Sequence, residues 1–209
     1  MNSDLHSLMV CYKRRKDDLK ETMLRPTFIL LFGLIPLVYG QLIIGFCPPL
    51  SNYVKDLDFE KYSGQWYVIA QSHFHPMQAL NCQRVTYTAQ RNGMSVTFNT
   101  SKKYERHQRY KNGTLKQEGD NKGEMKLRLN EFPTRFDFRV LHVNYSQVAV
   151  EYTCLPGAIS YTATISILHR QPVALGELNE GLKRLNLTHV IPDSLKRSIR
   201  LVNQTHCED

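Results

Sequence analysis

The chain has 209 residues, with 27 Lys and Arg against 19 Asp and Glu, a formal net charge of +8. That length supports one domain of ordinary size behind a processed leader. The positive surplus is dispersed apart from one dense stretch, Lys102 to Lys116, so it aids solubility and attracts anions but argues against a nucleic-acid partner.

Residues 1–40 read as an N-terminal extension and secretory signal peptide. An apolar run, Thr27 to Gly40, follows Arg25, and Val38 and Gly40 suit the positions before a signal-peptidase cut that leaves Gln41 first. Met23 would start a leader of ordinary length, and Met1 would add a long preceding segment. The rival reading is a retained signal anchor, because apolar character continues through Leu42 to Phe46. Pro36 and Gln41 interrupt that run and Pro48-Pro49 ends it, which favours cleavage given the length a membrane span needs. Five Asn-x-Ser/Thr sequons, at Asn99, Asn112, Asn144, Asn186 and Asn203, agree with export and N-glycosylation. So do the four cysteines beyond the leader, Cys47, Cys82, Cys154 and Cys207, an even number that suits two disulfides in an oxidising compartment. From sequence alone three pairings are open. The expected location is extracellular, with residues 41–209 forming a single domain.

The body reads as strands. The only tryptophan, Trp66, stands two residues after Gly64 at the start of Trp66 to Gln71. Arg84 to Ala89, the turn signal Asn92-Gly93 and Ser95 to Asn99 follow. Lys102 to Gly123, with a second Asn-Gly at Asn112-Gly113, reads as edge-like strands and loops at an open rim. Glu124 to Leu129 and Arg135 to Val140 alternate strictly, and Gln147 to Cys154 and Tyr161 to Leu168 complete about eight segments. This pattern predicts an all-β fold, an eight-stranded up-and-down antiparallel barrel over about 64–170, with room for side chains or one small ligand. Pro172 ends the strands. Leu175, Leu178, Leu182 and Leu185 then recur at helical spacing, with Glu177 and Glu180 early and Lys183 and Arg184 late, predicting an amphipathic helix over about 174–186 against the outer wall. Residues 187–209 form a C-terminal tail.

Three motifs in order resemble the lipocalin family. Gly64-Gln65-Trp66 matches the first. Val143-Asn144-Tyr145 stands at the second, often Thr-Asp-Tyr, and keeps only the tyrosine. Leu168-His169-Arg170-Gln171-Pro172 matches the third. Within the family the cysteine layout, Cys47-Pro-Pro and the tail Asn203 to Cys207 are most similar to the branch of apolipoprotein D and the insect bilin-binding proteins. That resemblance implies the pairings Cys47–Cys154 and Cys82–Cys207. It also implies a structural role for Gly64, Trp66, Tyr145 and Arg170, with Arg170 lying across Trp66 as a cation–π lid on the closed end.

Strand parity then nominates a cavity lining: Val68, Ala70, Val85, Tyr87, Val96, Phe98, Met125, Leu127, Phe136, Phe138, Val150 and Tyr152. Such a wall suits a hydrophobic molecule with one or two polar groups, of the fatty acid, sterol, retinoid or bilin class. The expected function is a secreted carrier holding that ligand non-covalently, without a resident cofactor. The alternative is a glycosylated signalling or adhesion protein whose partner is a receptor, lipoprotein or membrane surface. Catalysis is not expected: all four mature cysteines are assigned to disulfides, and neither a Ser-His-acid nor a paired-carboxylate pattern stands out. His73 and His75 lack a third metal ligand nearby and read as part of a loop at the cavity mouth, where Phe74 and Met77 would cover the ligand. Lys102 to Lys111 reads as a solvated loop at the same rim, or as a docking surface for lipid.

Overall fold

The computed structural model describes residues 43–72, 81–100, 109–205 and 207. The His73 to Met77 loop, the basic segment at 102–108 and the leader lie outside the described residues.

A two-residue strand β1 (Ile43–Ile44) and a one-turn helix α1 (Phe59–Tyr62) precede the barrel strands: β2 (Gly64–Ser72), β3 (Arg84–Gln90), β4 (Gly93–Thr100), β5 (Arg109–Gln117), β6 (Met125–Leu129), β7 (Arg135–Asn144), β8 (Val148–Pro156) and β9 (Ser160–His169). Helices α2 (Leu178–Arg184) and α3 (Asp193–Lys196) and strand β10 (Ile199–Leu201) follow. Each of β2 to β9 pairs antiparallel with the next, and β9 pairs back with β2, closing an eight-stranded barrel. Closure removes the free edges that an open sheet would present. β1 extends β9 through Ile43↔Tyr161, and β10 lies on the outer half of β2 through Arg200↔Gln71.

The barrel has two apolar layers. An inner cluster joins Trp66, Val68, Val85, Tyr87, Val96, Phe98, Leu115, Met125, Leu127, Phe136 and Phe138. An outer cluster joins Ile69, Ala70, Val150, Tyr152, Ile165 and Ile167 with Leu175, Leu182, Leu187, Ile191 and Leu195 of the C-terminal segment. One wall of the barrel, β2, β8 and β9, is therefore covered on both faces.

Within the segment read as edge-like strands and loops, Asn112-Gly113 lies inside a strand, because β5 runs through it and pairs along its length with β4. A Cβ on Gly113 would stand 2.6 Å from the Arg128 carbonyl oxygen, so this glycine serves a close strand approach rather than a bend. The C-terminal helix is shorter than 174–186. Leu175 precedes it in non-helical backbone and folds back onto Gly181, where its Cδ2 would lie 2.8 Å from an added Cβ. The leucine is buried as the spacing requires, but as a plug beside the helix. Asn186, at φ 56°, follows the cap residue Leu185 and ends the helix.

Candidate functional site

The closed end is built around Trp66, which is fully buried. Asp58 caps α1 by accepting from the Lys61 amide at 3.1 Å, and its own amide donates to the Tyr145 hydroxyl at 3.0 Å. The helix carries Tyr62 under the barrel, where its carbonyl accepts from the Trp66 indole nitrogen at 2.9 Å. Arg170 lies across the other face of this arrangement. Its guanidinium carbon is 3.7 Å from the Trp66 ring centroid. Nε donates to the Tyr145 carbonyl at 2.9 Å, Nη1 to Gln65 at 3.1 Å and Nη2 to Lys61 at 2.9 Å. Gly64 makes room for it: at φ 97°, a Cβ there would be strained and would stand 3.2 Å from Arg170 Nη1. Gly64, Trp66, Tyr145 and Arg170 thus meet as one seal.

Above the seal lies a carboxyl group. Glu151 Oε1 accepts from the Tyr62 hydroxyl at 2.7 Å and from the Tyr87 hydroxyl at 2.6 Å. Glu151 is buried, and removal from water pushes its pKa up to about 7, although the two tyrosine hydrogen bonds pull the other way. Burial and then the neighbouring carboxylate push both tyrosines well above their ordinary range, so they remain donors.

The register orders the rest of the interior. Glu151 pairs with Ser166 on β9, and Ser166 pairs with Gln71 on β2, so the three side chains share the inward face. One step along, Thr153 pairs with Thr164, and their hydroxyls are hydrogen-bonded. All five residues are buried. This polar wall faces the apolar wall contributed by β3 to β7.

Nine of the nominated lining residues lie in the inner cluster: Val68, Val85, Tyr87, Val96, Phe98, Met125, Leu127, Phe136 and Phe138. Ala70, Val150 and Tyr152 do not. A bulge between Val68 and Ala70 turns Ala70 outward, where it pairs with Ile167. Val150 and Tyr152 also face outward, under the C-terminal segment and its approach. Both faces of β8 are buried, so the more apolar parity marks the outer layer. Its inward set is Ala149, Glu151 and Thr153, and Glu151 is the functional candidate that strand parity missed. Its signal was an isolated acid inside the apolar run Val148 to Cys154.

Cys47 is bonded to Cys154 and Cys82 to Cys207. Asn112, Asn144, Asn186 and Asn203 are exposed and Asn99 is half-buried. Among the described residues no cluster of His, Cys, Asp or Glu could hold a metal ion.

The profile of the lipocalin / cytosolic fatty-acid binding protein family matches residues 63–199. The chain belongs to this family. Insecticyanin from the tobacco hornworm Manduca sexta has the same lipocalin fold at 19% identity, over 80% of this chain and 92% of its own, with a TM-score of 0.58. Apocrustacyanin C1 is 17% identical over 80% of this chain and 94% of its own, at 0.60. Lobster apocrustacyanin A1 is 16% identical over 78% and 91%, at 0.55. At these identities the likeness is one of fold. No curated protein matches the sequence.

In this lipocalin the third-motif arginine has a structural task, because its partners are backbone carbonyls and the indole face. Replacing Arg170 by alanine removes these bonds and the stacking, and a loss of about 2 kcal/mol is expected, since several of the bonds are solvent-accessible. Thermal denaturation checks this, with ligand preference unchanged. A collapse of affinity at unaltered stability would contradict the assignment.

Proposed function

We propose that this lipocalin is a secreted carrier that holds one small hydrophobic molecule, of the fatty acid, sterol, retinoid or bilin class, inside its barrel. The observation that carries this reading is the enclosed apolar wall from β3 to β7, sealed at one end by Trp66 and Arg170. Such an enclosure sequesters a ligand by removing its apolar surface from water and asks no bond-making of its side chains. Val68, Val85, Tyr87, Val96, Phe98, Met125, Leu127, Phe136 and Phe138 would form the contact surface.

Export is supported by the apolar run behind Arg25, by the pairing of all four cysteines beyond residue 40, and by sequons on exposed asparagines. The cysteine layout and these pairings favour placing the chain in the branch of apolipoprotein D and the insect bilin-binding proteins. The mature protein would be a single domain from Gln41 to Asp209.

Native mass spectrometry of protein recovered from the medium of eukaryotic cells tests the reading. A glycosylated chain beginning at Gln41, in 1:1 complex with a lipophilic molecule, is expected. Retention in the membrane fraction, with an N-terminus before residue 35, would contradict secretion.

A further inference from the structure

The carrier reading leaves the polar wall unexplained. Gln71 is 3% exposed, and neither its amide oxygen nor its amide nitrogen has a hydrogen-bond partner. Among the described residues no other buried side-chain amide leaves both its donor and its acceptor unpaired. Burying such a group without a partner is costly, and an unpaired buried polar group in a native fold calls for an explanation. The side chain is aimed inward by register: Gln71 sits opposite Ser166, and Ser166 opposite Glu151. Neighbouring strands are about 4.8 Å apart, so the three form a continuous row across β2, β9 and β8. Ser166 is itself buried.

We propose that Gln71 and Ser166 form a hydrogen-bonding subsite for the neutral polar head of an otherwise apolar ligand, an amide, lactam or hydroxyl rather than a carboxylate. The proposal rests on the carrier reading and specifies its ligand class. A primary amide offers a donor and an acceptor side by side, so its best complement also does both. A lactam or amide makes two bonds to it, and a hydroxyl can donate and accept in turn. The charge pattern argues against a carboxylate head. The row already ends in the Glu151 carboxyl, and the buried Arg84 guanidinium faces away from it. Arg84 is paired with Tyr67 on the outward face and lies over its ring, 5.5 Å from the centroid. Arg200 stands opposite Gln71 on β10, but it is exposed and its Nη1 donates to the Arg197 and Ile199 carbonyls at 2.8 and 2.9 Å, so a carboxylate beside Gln71 would have no buried counter-charge among the described residues, which is unfavourable.

The test uses N-phenyl-1-naphthylamine as an apolar fluorescent reporter of the interior, displaced in turn by hexadecanamide, methyl hexadecanoate and ionised hexadecanoate at about pH 8. Chain length is held constant, so the head group decides the difference. On the wild-type protein the amide is expected to bind about tenfold more tightly than the ester, which lacks a donor, and than the carboxylate. In Gln71→Leu the amide–ester gap, with each affinity corrected for that variant's own reporter affinity, should fall to about twofold or less. Ser166→Ala should narrow the gap while leaving part of it. If Gln71→Leu gives no cooperative melt, Gln71→Met and Ser166→Ala decide the matter by the same gap. A gap that persists in the Gln71 variants, or an ester or carboxylate that binds wild type as tightly as the amide, overturns the subsite. Failure of the reporter to bind wild type would instead count against the carrier reading, and the subsite would fall with it.

Discussion

Exchanging Cys82 and Cys207 together for alanine is expected to cost about 4 kcal/mol of stability, since the bond closes a long loop and removes its freedom from the unfolded chain. The two residues are 125 positions apart. The bond also fastens the tail where the barrel wall parts. The β2–β3 ladder ends at Tyr67↔Arg84, with one further bond from the Val68 amide to the Gln83 carbonyl at 2.9 Å. Beyond that point the tail supplies the missing partners: the Val202 amide donates to the Ile69 carbonyl at 3.0 Å and the Cys82 amide to Asn203 at 2.8 Å. Gln204 Nε2 donates to the carbonyls of Val68 at 2.7 Å and Gln83 at 3.0 Å. Chemical denaturation without reductant reads the loss. Amide exchange should quicken in Ile69 to Ser72 more than around Trp66. A denaturation midpoint equal to that of wild type would show that the tail bonds hold without the link.

Glu151→Gln is expected to change how stability depends on pH. In the unfolded chain a glutamate releases its proton near pH 4.5, whereas burial holds the folded Glu151 proton to about pH 7. Between these values the folded state binds more protons than the unfolded, so stability falls as pH rises. The full difference is on the order of 3 kcal/mol, reached above pH 7. Glutamine cannot ionise, and its carbonyl can still accept from Tyr62 and Tyr87. The variant should therefore gain on wild type by that amount between about pH 4.5 and 8, after a constant offset for its unpartnered amide nitrogen. Denaturation midpoints at several pH values settle it. Parallel curves for the two proteins would mean that Glu151 ionises in the folded barrel as readily as in water.

These two expectations come from parts of the molecule that are read with unequal ease. The walls from β3 to β7 are legible because each strand has one face toward the interior and one toward solvent. Met125, Leu127 and Leu129 alternate with Lys126 and Arg128, for example, and the burial follows. The seal is legible because its motif residues stand in fixed order, although only the fold brings Arg170 across Trp66. The opposite wall is not legible in this way. β8 and β9 are buried on both faces, so polarity no longer reports direction. Val150 and Tyr152 consequently look like interior residues, and Glu151 looks like a solvent-facing one. The bulge at Ile69 has no local signature, and it alone turns Ala70 outward and Gln71 inward. Leu175 obeys helical spacing but gains its burial by packing on Gly181 from outside the helix.

The central claim, that the barrel interior encloses a small hydrophobic ligand, is tested most directly by native mass spectrometry of the deglycosylated, secreted protein. The account predicts a species heavier than the chain by one small organic molecule, released by organic solvent and restored when the extract is added back. A chain that shows only its own mass, and takes up no lipophilic molecule when the extract is returned, would contradict it.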